Sequence, residues 1–301
     1  MSRGGFPHTE ADPERADGRR WALGAPAVAA RPLALAALAV VGAWTGFRAL
    51  HNAPVELPGV VLGAAPWLAP AAGLVPGIAA VVLGLRSPGP AERVGLLFAG
   101  VFGALATVVP AATLPAAAAL VGGGGVAVLG HRRSVGGWRG SIHRLVPVAL
   151  LGAVALSLGA TTGLLPSGVR AAGSTLAVAG LAATPALVRP GPGGWALGAL
   201  AAGGVLWAGW TLPFVTGAVT LVAFGLVGTP LVGFAAGVGG CVATVAGTLR
   251  RREAGEPTDR RRGIGAALVL LAGAPSTAAA ATAVVLGAAL VAGVGTGGGR
   301  R

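Results

Sequence analysis

The chain has 301 residues, 54% hydrophobic and only 10% charged, with a mean hydropathy of +0.79 and a formal net charge of +13. Soluble domains carry ~25% charged residues, so this composition excludes an ordinary water-soluble globule. The positive charge does not indicate nucleic acid. The arginines stand beside apolar segments, where membrane topology and anionic lipid account for them.

No charged residue occurs from Gly191 to Leu249, a run of 59 residues. A bilayer can hold such a run, and each crossing helix takes ~20 apolar residues. From Pro32 to Val294 there is room for about nine or ten crossings by the same rule. A closed barrel, the other spanning solution, needs alternating apolar and polar residues. The runs here are continuous. The expected fold is all-α: a polytopic integral membrane helix bundle of about 9–10 transmembrane helices. All 22 basic residues are arginine, and lysine, glutamine and tyrosine are absent, a bias expected of a GC-rich prokaryotic genome. The lone Cys241 excludes an internal disulfide and a CxxC site.

Residues 1–30 read as a polar, disordered tail without apolar periodicity. Arg19-Arg20-Trp21 faintly suggests a twin-arginine signal, but a basic anchor before the first helix is the simpler reading. The membrane domain is expected over 31–299. Its segments are Pro32–Leu50, Pro66–Leu85, Val94–Val109, Leu114–Gly130, Leu145–Leu165 and Val169–Val188. Trp195–Leu249 follows, with breaks near Pro213 and Gly228-Thr229-Pro230, and then Ile264–Val294, interrupted by Pro275.

Cytoplasmic loops carry the arginine excess. The candidate cytoplasmic loops hold Arg132, Arg133, Arg139 and Arg144, and then Arg250, Arg251, Arg252, Arg260, Arg261 and Arg262. With the basic tail, they place the N-terminus inside and the protein in the cell membrane. They also require Trp195–Leu249 to cross twice. A Pro275 break would raise the total from nine crossings to ten. A weak internal repeat is suggested between 31–133 and 144–252, each opened by an arginine near a proline and closed by an arginine cluster.

The acids all fall in the tail or in loops, which argues against a proton path. His51, Asn52 and Glu56 cluster with Arg48 after the first segment, where a polar turn is the simpler explanation. His131 and His143 read as a headgroup-facing surface. No histidine spacing suits a metal, and no nucleotide fingerprint or catalytic triad stands in context. Hydroxyl pairs Thr161-Thr162 and Ser276-Thr277 lie next to helix breaks and are the candidate path for a neutral substrate. The four glycines Gly122–Gly125 weaken a helix at ~1 kcal/mol each and mark a closely packed or unwound place.

The expected protein is a non-catalytic membrane subunit or scaffold without cofactor or metal. Its arginine loops would meet anionic lipid headgroups, with membrane or cytoplasmic proteins as further partners and no nucleic acid. The alternative is a permease-like transporter of a neutral or lipophilic solute, favoured by the broken helices and hydroxyl pairs.

Overall fold

The computed structural model describes residues 30–53, 56, 58–131, 137–212, 221–222, 224–250 and 257–295. The polar tail, Arg132, Arg133, Pro213, Arg251 and Arg252 lie outside them. Every regular element among the described residues is helical: α1 (Ala30–Asn52), α2 (Gly59–Arg86), α3 (Pro90–Val108), a 3-10 turn (Pro110–Ala112), α4 (Thr113–Gly130), α5 (Gly137–Thr161), α6 (Val169–Ala183), a short α7 (Pro185–Val188), α8 (Pro192–Thr211), α9 (Leu231–Arg250), α10 (Pro257–Ala272) and α11 (Ala278–Ala292). Pro90 and Pro192 open α3 and α8, where a missing N–H costs nothing, and Pro185 opens α7.

Seven helices among the described residues are long and apolar enough to cross a membrane. The estimate of nine or ten counts two or three more that miss this test. Helix α8 is 20 residues long, but glycine and tryptophan dilute its leucines. The last segment is two helices, α10 and α11, of 16 and 15 residues, separated at 273–277. At 1.5 Å per residue α11 is about 22 Å long, short of a ~30 Å hydrocarbon core.

Helix α11 is the centre of the bundle. It packs on α2, α3, α4, α5 and α10, and it is buried on nearly every side. A helix that is apolar all round has no face for water and must be surrounded by lipid or protein; here the neighbours are protein. Small residues let the backbones meet. A Cβ on Gly287 would stand 2.7 Å from the Gly265 carbonyl oxygen, and one on Gly123 would stand 2.6 Å from that of Gly95. Gly123 thus gives the four-glycine run of α4 its packing role, while Gly122 and Gly125 face open space.

Bilayer-exposed backbone must be satisfied locally, and the α6–α7 junction does so with a side chain. Pro185 has no N–H for the Leu181 carbonyl. The Thr184 hydroxyl and N–H donate there instead, at 2.7 and 3.1 Å. Thr184 Oγ1 also meets Thr244 Oγ1 of α9 at 2.8 Å, tying the bend to its neighbour.

Contacts between helix termini sort the bundle into two ends. Arg86, Glu92, His131, Leu187, Arg261, Arg262 and Gly295 gather at one, through the bonds described below. Arg48, Arg170, Val222, Gly225 and the α10–α11 turn gather at the other. Helices α8 and α9 run antiparallel between them: Gly193 meets Arg250 near one end, and Gly209 meets Leu231 near the other. Helices α8 and α9 therefore each traverse the bundle once.

Candidate functional site

Because α11 is short, the α10–α11 turn stops inside the bundle. A cavity of about 520 Å³ lies beside that turn, toward the Arg48 end. Helix α1 supplies Val41, Trp44, Thr45 and Arg48, α2 supplies Ala69, Pro70 and Ala72, and α3 supplies Thr107. The turn contributes Leu271, Ala272, Ser276, Thr277, Ala279 and Ala280. The wall is mostly apolar. Three of its hydroxyls are engaged with backbone: Thr45 Oγ1 donates to the Leu271 carbonyl at 2.7 Å and Thr107 Oγ1 to that of Ala104 at 2.6 Å. Thr277 is the N-cap of α11, its Oγ1 accepting from the Ala280 N–H at 3.2 Å.

The turn is held from the far side by a second turn, 224–229. The Ala274 N–H donates to the Phe224 carbonyl at 3.1 Å. Gly273 (φ 63°) and Gly225 (φ 65°) face each other's segments so closely that a Cβ on Gly273 would collide with the Phe224 oxygen. Both the positive φ and the missing side chain are needed there. Irregular backbone survives at membrane depth only where protein encloses it, and Gly273, Ala274 and Pro275 are all buried.

Two arginines border this region. Arg48 reaches the cavity, and its Nη2 donates to the Val222 carbonyl at 3.3 Å. Arg170, in the first turn of α6, extends its Nη2 toward Gly225 of the same connecting segment.

The opposite end is differently built. Glu92, in the first turn of α3, is buried at 5% exposure. Its Oε1 meets His131 Nδ1 at 2.6 Å, and its Oε2 accepts from the Gly295 N–H at 3.3 Å. The Gly295 carbonyl in turn accepts from Arg261 Nη1 at 3.0 Å. Arg262, 7% exposed, donates through Nη1 to the Leu187 carbonyl at 2.7 Å. The end of α11 is thereby fixed to α3 and α10.

A family model described as an integral membrane family of unknown function matches residues 27–292. The chain belongs to that family, DUF8068. No curated protein and no solved structure matches it.

Among the residues singled out from the sequence of this DUF8068 member, Ser276 and Thr277 stand on the cavity wall. Thr161 and Thr162 do not line it: they end α5, and their hydroxyls donate to carbonyls of their own last turn, Ser157, Leu158 and Gly159. The basic loops are largely helix. Arg139 and Arg144 fall within α5, Arg250 ends α9, and Arg260, Arg261 and Arg262 lie in α10. Helical hydrogen bonding does not stop where apolarity stops, so these helices extend into their charged flanks. Arg262 is buried on a carbonyl, and His131 pairs with Glu92 instead of facing outward. Asn52 Nδ2 donates to the Arg48 carbonyl at 2.8 Å and His51 stacks on Phe47, the contacts of a polar helix end.

Sequence reasoning put Arg48 in a polar turn with His51, Asn52 and Glu56 and gave Arg170 no role, although each stands alone between apolar segments without the arginine clusters found elsewhere. That sparseness was the available signal, because a cation that topology does not require needs another reason.

Proposed function

We propose that this DUF8068 protein is a permease-like carrier that receives a lipophilic solute in the cavity beside the α10–α11 turn. The observation that carries this reading is the cavity itself. At about 520 Å³ it lies within the ~300–1,000 Å³ range of small-molecule sites, and it stands against a helix break. Carriers commonly form their sites at broken helices enclosed by the bundle. Its apolar wall suits hydrocarbon, and Ser276 offers a hydroxyl at the break.

The protein carries no catalytic step on this reading. No histidine or carboxylate is among the residues lining the cavity, so a hydroxyl there has no neighbouring base to activate it. We place the Arg86 end at the cytoplasmic face of the cell membrane, since arginine is concentrated there, with anionic headgroups as its lipid partners.

Saturable binding of tritiated hexadecanol to the full chain in lipid nanodiscs tests the site. Ala69→Trp fills the cavity from a half-buried position, and it should abolish the competable fraction while leaving the protein monodisperse. Undiminished binding in this variant sinks the reading.

A second reading, a non-catalytic subunit, is favoured by α8. That helix packs chiefly on α9 and presents Leu200, Trp207 and Trp210 outward. A stoichiometric partner eluting with the protein from its host in mild detergent, and released by Leu200→Arg, would support it.

A further inference from the structure

Among the described residues, Arg48 is the one charged residue on the cavity wall. Arg170 lies on the same connecting segment: Arg48 holds the Val222 carbonyl, and Arg170 Nη2 comes 3.9 Å from where a Cβ on Gly225 would stand. Arg48 Nη2 and the Gly225 N–H both donate to the Val222 carbonyl, at 3.3 and 3.0 Å, so the two guanidiniums stand around one short turn. Among the described residues, neither has a carboxylate partner. Arg170 Nε is buried with no acceptor among the described residues. Two neighbouring cations out of bulk water repel, and a buried donor without an acceptor costs its full desolvation. An anion between them converts the repulsion into two charge-assisted pairs and supplies the missing acceptor.

Placement next to the apolar cavity decides what kind of anion. The opposite end also brings two cations together, Arg86 and Arg261, and Arg86 Nη1 is likewise buried without an acceptor among the described residues. There a buried carboxylate, Glu92, belongs to the same network through Gly295. At the Arg48 end the described residues provide no such group, and the cation opens onto hydrocarbon-like wall: Val41, Trp44, Ala72 and Leu271.

We propose that the cavity's ligand is an anionic amphiphile, its carboxylate or phosphate head held by Arg48 and Arg170 and its hydrocarbon tail lying in the cavity. This rests on the carrier reading above and narrows it: the solute is lipophilic along its length and charged at one tip.

The experiment compares tritiated palmitate, hexadecyl phosphate and hexadecanol on the full chain in nanodiscs of neutral lipid. These probes share a tail and differ in the head. Hydrogen bonds to charged groups contribute roughly 1.5–3 kcal/mol, so one of the anionic probes should bind at least about tenfold tighter than the alcohol. Arg48→Gln and Arg170→Gln should each remove most of that preference, read as the ratio of anionic-probe to alcohol affinity within the same variant. Arg48→Lys should recover part of it, because charge survives while the planar fork is lost. Adding phosphatidylglycerol separates the two sources of such a head. Displacement of the bound probe assigns the site to a membrane lipid, and indifference assigns it to a free single-chain acid.

Equal affinity of the native protein for acid, phosphate and alcohol overturns the anionic head and leaves the cavity standing, and this arm depends on no variant. Absence of competable binding by all three overturns the cavity reading itself.

Discussion

At the Arg86 end, Arg261 and Arg262 donate to the carbonyls of Gly295 and Leu187, and Glu92 binds His131 and the Gly295 N–H. At the Arg48 end, two arginines share a short connecting segment, no carboxylate joins them among the described residues, and a cavity opens alongside. The contrast follows from the length of α11. Its last residues reach the first end and are tied into it. Its first residues stop short of the second and leave room there. One end is therefore built to hold the fold, and the other has cations to offer a ligand.

Glu92→Ala tests this contrast most severely. It removes the shared acceptor of His131 and the Gly295 N–H. Each buried donor left unsatisfied costs about 1–3 kcal/mol, so with two affected, thermal unfolding in detergent should show the largest loss of any single change here. A melting temperature equal to that of the native protein would mean that this end is not the clamp.

Gly273→Ala should come next. A side chain at that positive φ, directed at the Phe224 carbonyl, costs about 1–3 kcal/mol. It should lower the unfolding temperature and weaken hexadecanol binding together, because the same turn forms the cavity wall. Loss of stability with binding intact would separate the turn from the site.

Thr244→Val removes the partner of Thr184 across the α6–α9 contact. Interhelical hydrogen bonds in membranes average only ~0.6 kcal/mol, and Thr184 keeps its bond to Leu181. A small drop in unfolding temperature with unchanged binding is expected. A loss comparable to that of Glu92→Ala would show that the proline bend depends on this pair.

The smallest effect belongs to Thr161→Val with Thr162→Val. Both hydroxyls bond to their own helix and neither lines the cavity. Probe binding should match the native protein within about twofold, since no contact to ligand is removed. A large loss would move the substrate path to the end of α5 and away from the α10–α11 turn.

The sequence by itself determined that this is a helical membrane protein. Backbone groups in a bilayer must be satisfied within the segment, and continuous apolar runs such as 191–249 admit no other solution. It also indicated the break at Pro275, which separates α10 from α11. It did not reveal that α11 is the enclosed centre. Apolarity all round looks the same for a lipid-facing helix and a buried one, and only the neighbours distinguish them.

The bond between Glu92 and His131, 39 residues apart, and the approach of Arg48 to Arg170 were likewise decided by the tertiary structure. Each pair joins helices distant in the chain, and no local periodicity encodes which helix faces which. The cavity belongs to the same class of fact. It is space left over when a 15-residue helix stops short among longer ones, and a sequence states the length of a helix without stating what surrounds its end.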